Sequence, residues 1–352
     1  METIFLLAII VLIFLVIFQI AKASEYVSIL KGEEQVKKQN NRINGFFMIF
    51  FLILLLIGVW YCNKLYYPNN LFSWGSASKE GIAIDHMIWT TLALTMTVFF
   101  LTQILLFVFA FRYQHSDKRK ALYYPYNNKL EFIWTAVPII TFSTLVVIGL
   151  KHWFQLKGEA PKDAQIVEIT GHQFGWEMRY PGKDGVLGKE NYKLVNAAKG
   201  NPLGIDWNDR ASRDDIHVPT TMYVVVNKPV KLVIHSQDVI HDVGLPAFRM
   251  KMDAVPGMPT TLFFTPIYTT KEMKKRTGNP DFEYEIVCSQ LCGIGHFSMR
   301  GVVKVVTQDE FDAYIRNQKT AFQAAQDAAM SADNSEPSVQ SRTLAINSNQ
   351  KK

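Results

Sequence analysis

The stretch Cys288-Ser289-Gln290-Leu291-Cys292-Gly293-Ile294-Gly295-His296-Phe297-Ser298-Met299 decides the reading of this chain. It sets two thiols, an imidazole and a thioether four, four and three residues apart. Thiolate and thioether are soft ligands that favour copper, and imidazole suits it as well. A mononuclear blue-copper site uses one Cys, two His and a weak axial Met. The second Cys allows a pair of thiolates to bridge two copper ions, so electron transfer is the leading expectation. β-Branched runs flank the loop, Tyr284-Glu285-Ile286-Val287 before it and Gly301-Val302-Val303-Lys304-Val305-Val306 after it. Such runs read as strands, which places the ligands between two β-strands.

Working outward, further short runs of this kind are Ile166-Val167-Glu168-Ile169-Thr170, Met222-Tyr223-Val224-Val225-Val226 and Val230-Lys231-Leu232-Val233-Ile234. With Pro, Gly and Asn between them they predict an antiparallel sandwich or barrel over about residues 160–308. Residues 181–215, rich in Gly, Lys, Asn and Asp, read as a long surface loop. Within 309–352 a short helix is expected to about residue 329, with a disordered Ser/Asn/Gln/Lys-rich tail from 330.

The first 150 residues differ in kind. Of the 352 residues 49% are hydrophobic, and most of that excess lies in apolar runs at 3–20, 46–61, 84–111 and 132–150. A bilayer core needs about 20 apolar residues in a helix, so four transmembrane helices are expected: an N-terminal pair within 1–62 and a helical hairpin over 84–150. Pro138 is expected to kink the last helix. Ala21-Lys22-Ala23 resembles a signal cleavage site, but no basic residue precedes the apolar run, so a retained helix is expected. Cleavage would leave three spans without moving the soluble domain.

Lys22, Lys31, Lys37, Lys38 and Arg42 fill the first loop, and Arg112, Lys118, Arg119, Lys120 and Lys129 the third. The 62–83 loop has Lys64 and Lys79. The positive-inside rule then makes the first and third loops cytoplasmic and puts the soluble domain outside. There is no Cys-x-x-Cys-His, so no haem is attached to this chain. No nucleic-acid partner is expected.

A second imidazole for the copper loop comes from His241, in Asp238-Val239-Ile240-His241 after the apolar run 230–234. With Gly171-His172-Gln173-Phe174-Gly175-Trp176 and Lys251-Met252-Asp253-Ala254-Val255-Pro256-Gly257, the ordered set from about 84 to 307 resembles subunit II of the haem–copper cytochrome c oxidases. That resemblance implies N-terminal transmembrane helices followed by a cupredoxin-like Greek-key domain carrying a dinuclear copper centre, CuA. The family usually has two transmembrane helices, so the first pair here is an addition. By the same resemblance Cys288 and Cys292 are the bridging thiolates, and His241 and His296 bind one copper each. Met299 and the Gln290 carbonyl are the weak ligands.

The implied role is the electron-entry subunit of a proton-translocating terminal oxidase in a bacterial inner membrane, with the domain in the periplasm. Its partners would be the catalytic haem–copper subunit I, other oxidase subunits, lipid, and cytochrome c or a tethered cytochrome domain as donor. A mononuclear copper carrier and a copper-free quinol-oxidase-type scaffold are the alternatives. Glu131 matches the entrance of a proton pathway into the catalytic subunit. Phe174 stands where many relatives have an electron-entry Trp, with Trp176 two residues on. Lys251 and Asp253 match residues facing the haem propionates. Gln290 replaces a Glu that helps bind Mg²⁺ in most relatives, which puts an Mg²⁺ site in doubt. His172 reads as a structural hydrogen-bonding group.

Overall fold

The computed structural model describes residues 2–116 and 118–335. Their contacts group them into two compact units, Met1–Asn69 with Thr90–Ser143, and Asn70–Trp89 with Thr144 onward.

The apolar runs form α1 (Glu2–Lys31), α2 (Glu33–Tyr66), α3 (Lys79–Arg112) and α4 (Asn128–Leu156). Among the described residues these four helices are long and apolar enough to cross a membrane. They outrun the apolar stretches because their polar ends remain good helix formers. The basic segment read as a loop at 21–42 is helical throughout except at Gly32, whose φ of 84° suits glycine. Asn127 caps α4, its side chain accepting from Leu130 N at 3.0 Å. Pro138 lies inside α4.

The second unit is a β-sandwich of two five-stranded sheets. One has the order β3-β2-β1-β5-β8, made of β1 (Gln165–His172), β2 (Gly175–Tyr180), β3 (Ile216–Pro219), β5 (Val230–Ser236) and β8 (Thr260–Phe264). The other runs β4-β10-β9-β6-β7, from β4 (Thr221–Val225), β6 (His241–Leu245), β7 (Met250–Ala254), β9 (Tyr284–Cys288) and β10 (Arg300–Val306). The sheets are mixed, not purely antiparallel: β1 pairs with β5, and β4 with β10, in parallel. Chain order alone could not reveal those non-local pairings.

Alternation builds the core. In β5, Val230, Leu232 and Ile234 are buried, and in β2, Trp176, Met178 and Tyr180. Phe248 packs between Phe264 and Tyr284 with ring centroids 4.8 and 4.6 Å away. Full burial of such a side chain stabilises by roughly 1.5–3 kcal/mol.

The start of α3 is stitched to this sandwich. Ser78 Oγ donates to the Phe248 carbonyl at 2.7 Å, and Glu80 accepts from Thr265 N at 2.7 Å. Arg249 Nε meets Asp85 at 2.7 Å, with both side chains at least nine-tenths buried. The Arg249 guanidinium also donates to the Leu71 and Pro246 carbonyls and sits over the rings of Phe72 and Trp74.

Among the described residues two α-helices follow α5 (Thr270–Thr277). Capping boxes open α5 at Thr269/Glu272 and α6 (Gln308–Arg316) at Thr307/Glu310. The expected single short helix is two, because α7 (Ala321–Ser335) carries the chain past residue 329 on six alanines of high helix propensity. The expected disorder from 330 therefore fails to residue 335, and the rest of that tail lies outside the described residues. Residues 181–215 are also more than a surface loop. They bury Leu203, Ile205 and Asp215, and Trp207 packs against Phe322 of α7 with centroids 5.5 Å apart.

Candidate metal centre

Cys288 ends β9, and the loop 289–299 turns back into β10, so the two strands fix both ends of the ligand loop. β6 lies beside β9, with Val243 opposite Cys288, which delivers His241 at the head of β6 to the same place. Cys288 Sγ and Cys292 Sγ stand 3.8 Å apart as free thiols. His241 Nδ1 is 3.9 Å from Cys288 Sγ, and His296 Nδ1 is 3.6 Å from Cys292 Sγ. Met299 Sδ lies 3.8 Å from Cys292 Sγ, and the Gln290 carbonyl 3.2 Å from Cys288 Sγ. Six donors thus converge, two thiols at the centre and an imidazole on each.

Burial, and then the hydrogen bond from Cys288, push the Cys292 thiol up to about 11. The Cys292 thiol therefore keeps its proton near neutrality unless a cation displaces it, as metal ligation does. The soft donor set, with His241, Cys292 and Met299 buried, fits copper.

Asp238 Oδ1 accepts from His241 Nε2 at 2.7 Å, which leaves Nδ1 free to ligate. Its other oxygen accepts from Gln173 N at 2.7 Å, and Gln173 Nε2 donates to the Cys292 carbonyl. A Cβ on Gly171 would lie 3.0 Å from the Trp176 ring and 3.1 Å from His241. One on Gly295 would lie 2.5 Å from Phe174. The 171–176 motif is thus a cradle for the ligand loop. Gln173 has no role legible in the sequence, because its partners Asp238 and Cys292 lie 65 and 119 residues away along the chain. Asp238 is only three residues from His241, a spacing that could have flagged it.

Phe174 is half-buried against the ligand loop, but Trp176 is 1% exposed, with its ring centroid 6.0 Å from that of His241. Trp176 cannot be a docking surface, because strand alternation turns it into the core. Leu291, Ile294 and Phe297 instead stand 83, 92 and 86% exposed around the ligand loop.

His172 hydrogen-bonds Glu177 at 3.3 Å, and His217 does so at 2.6 Å. The Gln290 amide points to Asp253 at 3.5 Å. Asp242, opposite Asp253 across β6 and β7, is fully buried with neither carboxylate oxygen hydrogen-bonded. Lys251 is exposed. Glu131 is exposed in the first turn of α4, accepting from Asn127 N.

Fold and site together define a membrane-anchored cupredoxin-like domain with a two-thiolate, two-imidazole centre. The sandwich matches the family model described as cytochrome C oxidase subunit II, periplasmic domain, over residues 165–306. An alternative cytochrome c oxidase subunit 2 from Bradyrhizobium diazoefficiens is 36% identical over 76% of this chain and 91% of its own length. A cytochrome c oxidase subunit 2 from Cereibacter sphaeroides is 30% identical over 61% of this chain and 69% of its own. The crystal structure of the periplasmic domain of subunit II of cytochrome oxidase from Bradyrhizobium japonicum is 27% identical over 47% of this chain and 99% of its own, with a TM-score of 0.32. The chain belongs to the cytochrome c oxidase subunit II family.

Proposed function

We propose that this chain is the electron-entry subunit of a proton-translocating terminal oxidase, taking electrons from a cytochrome c for a haem in the catalytic subunit. The observation that carries this reading is the convergence of Cys288, Cys292, His241 and His296, with His241 and Cys292 buried and the other two half-buried. The two thiolates would hold a dinuclear copper centre between them, with Met299 and the Gln290 carbonyl as weak ligands. When bound, such a pair supplies a one-electron carrier whose charge is shared over two ions.

The chain's own residues hold that geometry. Asp238 orients His241, Gln173 pins the Cys292 carbonyl, and Trp176 walls off water behind the imidazole. The exposed collar of Leu291, Ile294 and Phe297 supports a protein partner on the ligand loop, since a clustered apolar surface marks an interaction site. Phe297 in the collar is the exposed aromatic on that surface, and Phe174, half-buried, packs beneath the ligand loop.

A bacterial inner membrane with the domain on the periplasmic side suits the loop charges. The hydrogen bonds of Ser78 and Glu80 support that arrangement, because they hold the segment after α2 and the sandwich on one side of any bilayer. Glu131, at the start of α4 on the opposite side by this topology, is proposed as the proton-pathway entrance.

Copper loading of the detergent-solubilised chain tests the reading. Two coppers per chain with a valence-delocalised EPR spectrum are expected, both lost in Cys288→Ser and in Cys292→Ser. A single copper with the hyperfine pattern of one nucleus would make the chain a mononuclear carrier. No copper at all would make it a scaffold.

A further inference from the structure

A second set of ligating side chains lies on the face of the first sheet opposite the core, and the thiol site uses none of them. Alternate residues of a strand share a face, which puts Glu168 and Thr170 of β1 together. Register sets Arg179 of β2 opposite Glu168, and His235 of β5 beside Thr170. The 181–215 loop folds over them and adds Glu190 and Asp215. Arg179, with its side chain 2% exposed, meets Glu168 at 2.6 Å, Asp215 at 2.9 Å and Glu190 at 3.1 Å.

Three carboxylates therefore share one guanidinium, an excess of two negative charges if all are ionised. Buried charge needs a partner. Burial, and then Glu168, push Glu190 up to about 9, and burial pushes Asp215 up to about 6. Near neutrality a proton on Glu190 makes up only part of the deficit that a divalent cation would fill outright. Glu168, Glu190 and His235 present ligand atoms all within 4.8 Å of one another.

An independent feature points into the same space. Thr170 is 3% exposed, its hydroxyl has no hydrogen-bond partner, and with Glu190 and His235 it lines a cavity of about 730 Å³. Glu190 Oε1 approaches Arg179 without a hydrogen bond, and Asp215 Oδ1, fully buried, has none either. One imidazole with two carboxylates is a donor set that zinc accepts. Calcium and magnesium prefer oxygen alone.

We propose that Glu168, Glu190 and His235 hold a zinc ion in the cavity under the 181–215 loop, with the Thr170 hydroxyl beside it. The ion cancels the excess charge and staples the loop to the sheet. Asp238, which fixes His241, lines the same cavity, so the staple also steadies the wall behind the thiol site.

The test uses the detergent-solubilised full chain carrying Cys288→Ser and Cys292→Ser, which removes the thiols as zinc ligands. After chelator treatment, equilibrium dialysis against zinc should return one ion per chain, and zinc should raise the unfolding midpoint. Adding Glu190→Gln or His235→Gln should weaken binding by roughly tenfold or more and abolish the midpoint shift. Should Glu190→Gln not fold, His235→Gln, at a partly exposed side chain, carries the same test. No zinc uptake, uptake indifferent to both substitutions, or a preference for calcium or magnesium would overturn the proposal.

Discussion

Arg249→Ala should destabilise the sandwich far more than a typical surface substitution. The side chain is 7% exposed and its partner Asp85 10%. Truncation leaves the Asp85 carboxylate buried without its cation and strands the Leu71 carbonyl, which accepts from the same guanidinium at 2.8 Å. Breaking a buried pair from one side costs about 3–5 kcal/mol. For a unit of this size each kcal/mol shifts the midpoint by about 2–4 °C, so the expected fall is about 6–20 °C. Asp85→Asn keeps an acceptor and removes the charge, so it should cost about 1–3 kcal/mol. The double variant should cost clearly less than the sum, because the second change removes the charge that the first one stranded. Thermal unfolding of the solubilised full chain, followed by circular dichroism, measures all three. A loss below about 1 kcal/mol in Arg249→Ala, or additivity within about 0.5 kcal/mol, would refute the stitch as an energetic element.

The Glu177 network should leave a pH signature. Burial raises the Glu177 carboxyl, but hydrogen bonds from His172 and His217 bring it down to about 2, while Glu177 holds His172 above 6.5. The carboxylate's contribution is complete above about 4.5 and fades as pH falls towards 2. The histidine's is complete below about 6.5 and fades as pH rises through its higher folded value. Glu177→Gln should therefore cost most between about pH 4.5 and 6.5, and an equal loss at pH 8.5 in unfolding scans would reject the coupling. Thr307→Ala should cost about 1 kcal/mol through the α6 capping box, which chemical denaturation can resolve. Glu131→Gln in the assembled oxidase should slow turnover and lower proton uptake with the copper spectrum intact; unchanged turnover would leave Glu131 as a helix-start residue alone.

What could be read in advance divides along a physical line. The four apolar helices follow from composition, and five strands from β-branched runs, because both signals are local. Cys288, Cys292, His296 and Met299 were legible because one short loop holds them all. His241 required the expectation that a strand end would face that loop. Trp176, two residues after the electron-entry position, is buried, as its alternation with Met178 and Tyr180 against Glu177 and Arg179 allows one to read. The 181–215 segment misled for another reason. Its polar composition reads as solvated, yet Asp215 is buried by an ion pair with Arg179, and Leu203 and Ile205 pack into a small core of their own. The parallel pairings and the Gln173 contacts are tertiary facts with no local signature.

The stitching of Ser78 to Phe248 also sets an order in time. Those residues are 170 positions apart, so the piece of chain that seals this edge of the sandwich is synthesised and held beside α3 long before β6 or β8 exists. Contacts of such separation form late in folding, and here one partner already belongs to the start of α3 while the other is still to be synthesised. The sandwich must therefore complete itself around a waiting segment, and a sandwich made without residues 76–85 should stall with Phe248 and Thr265 unsealed.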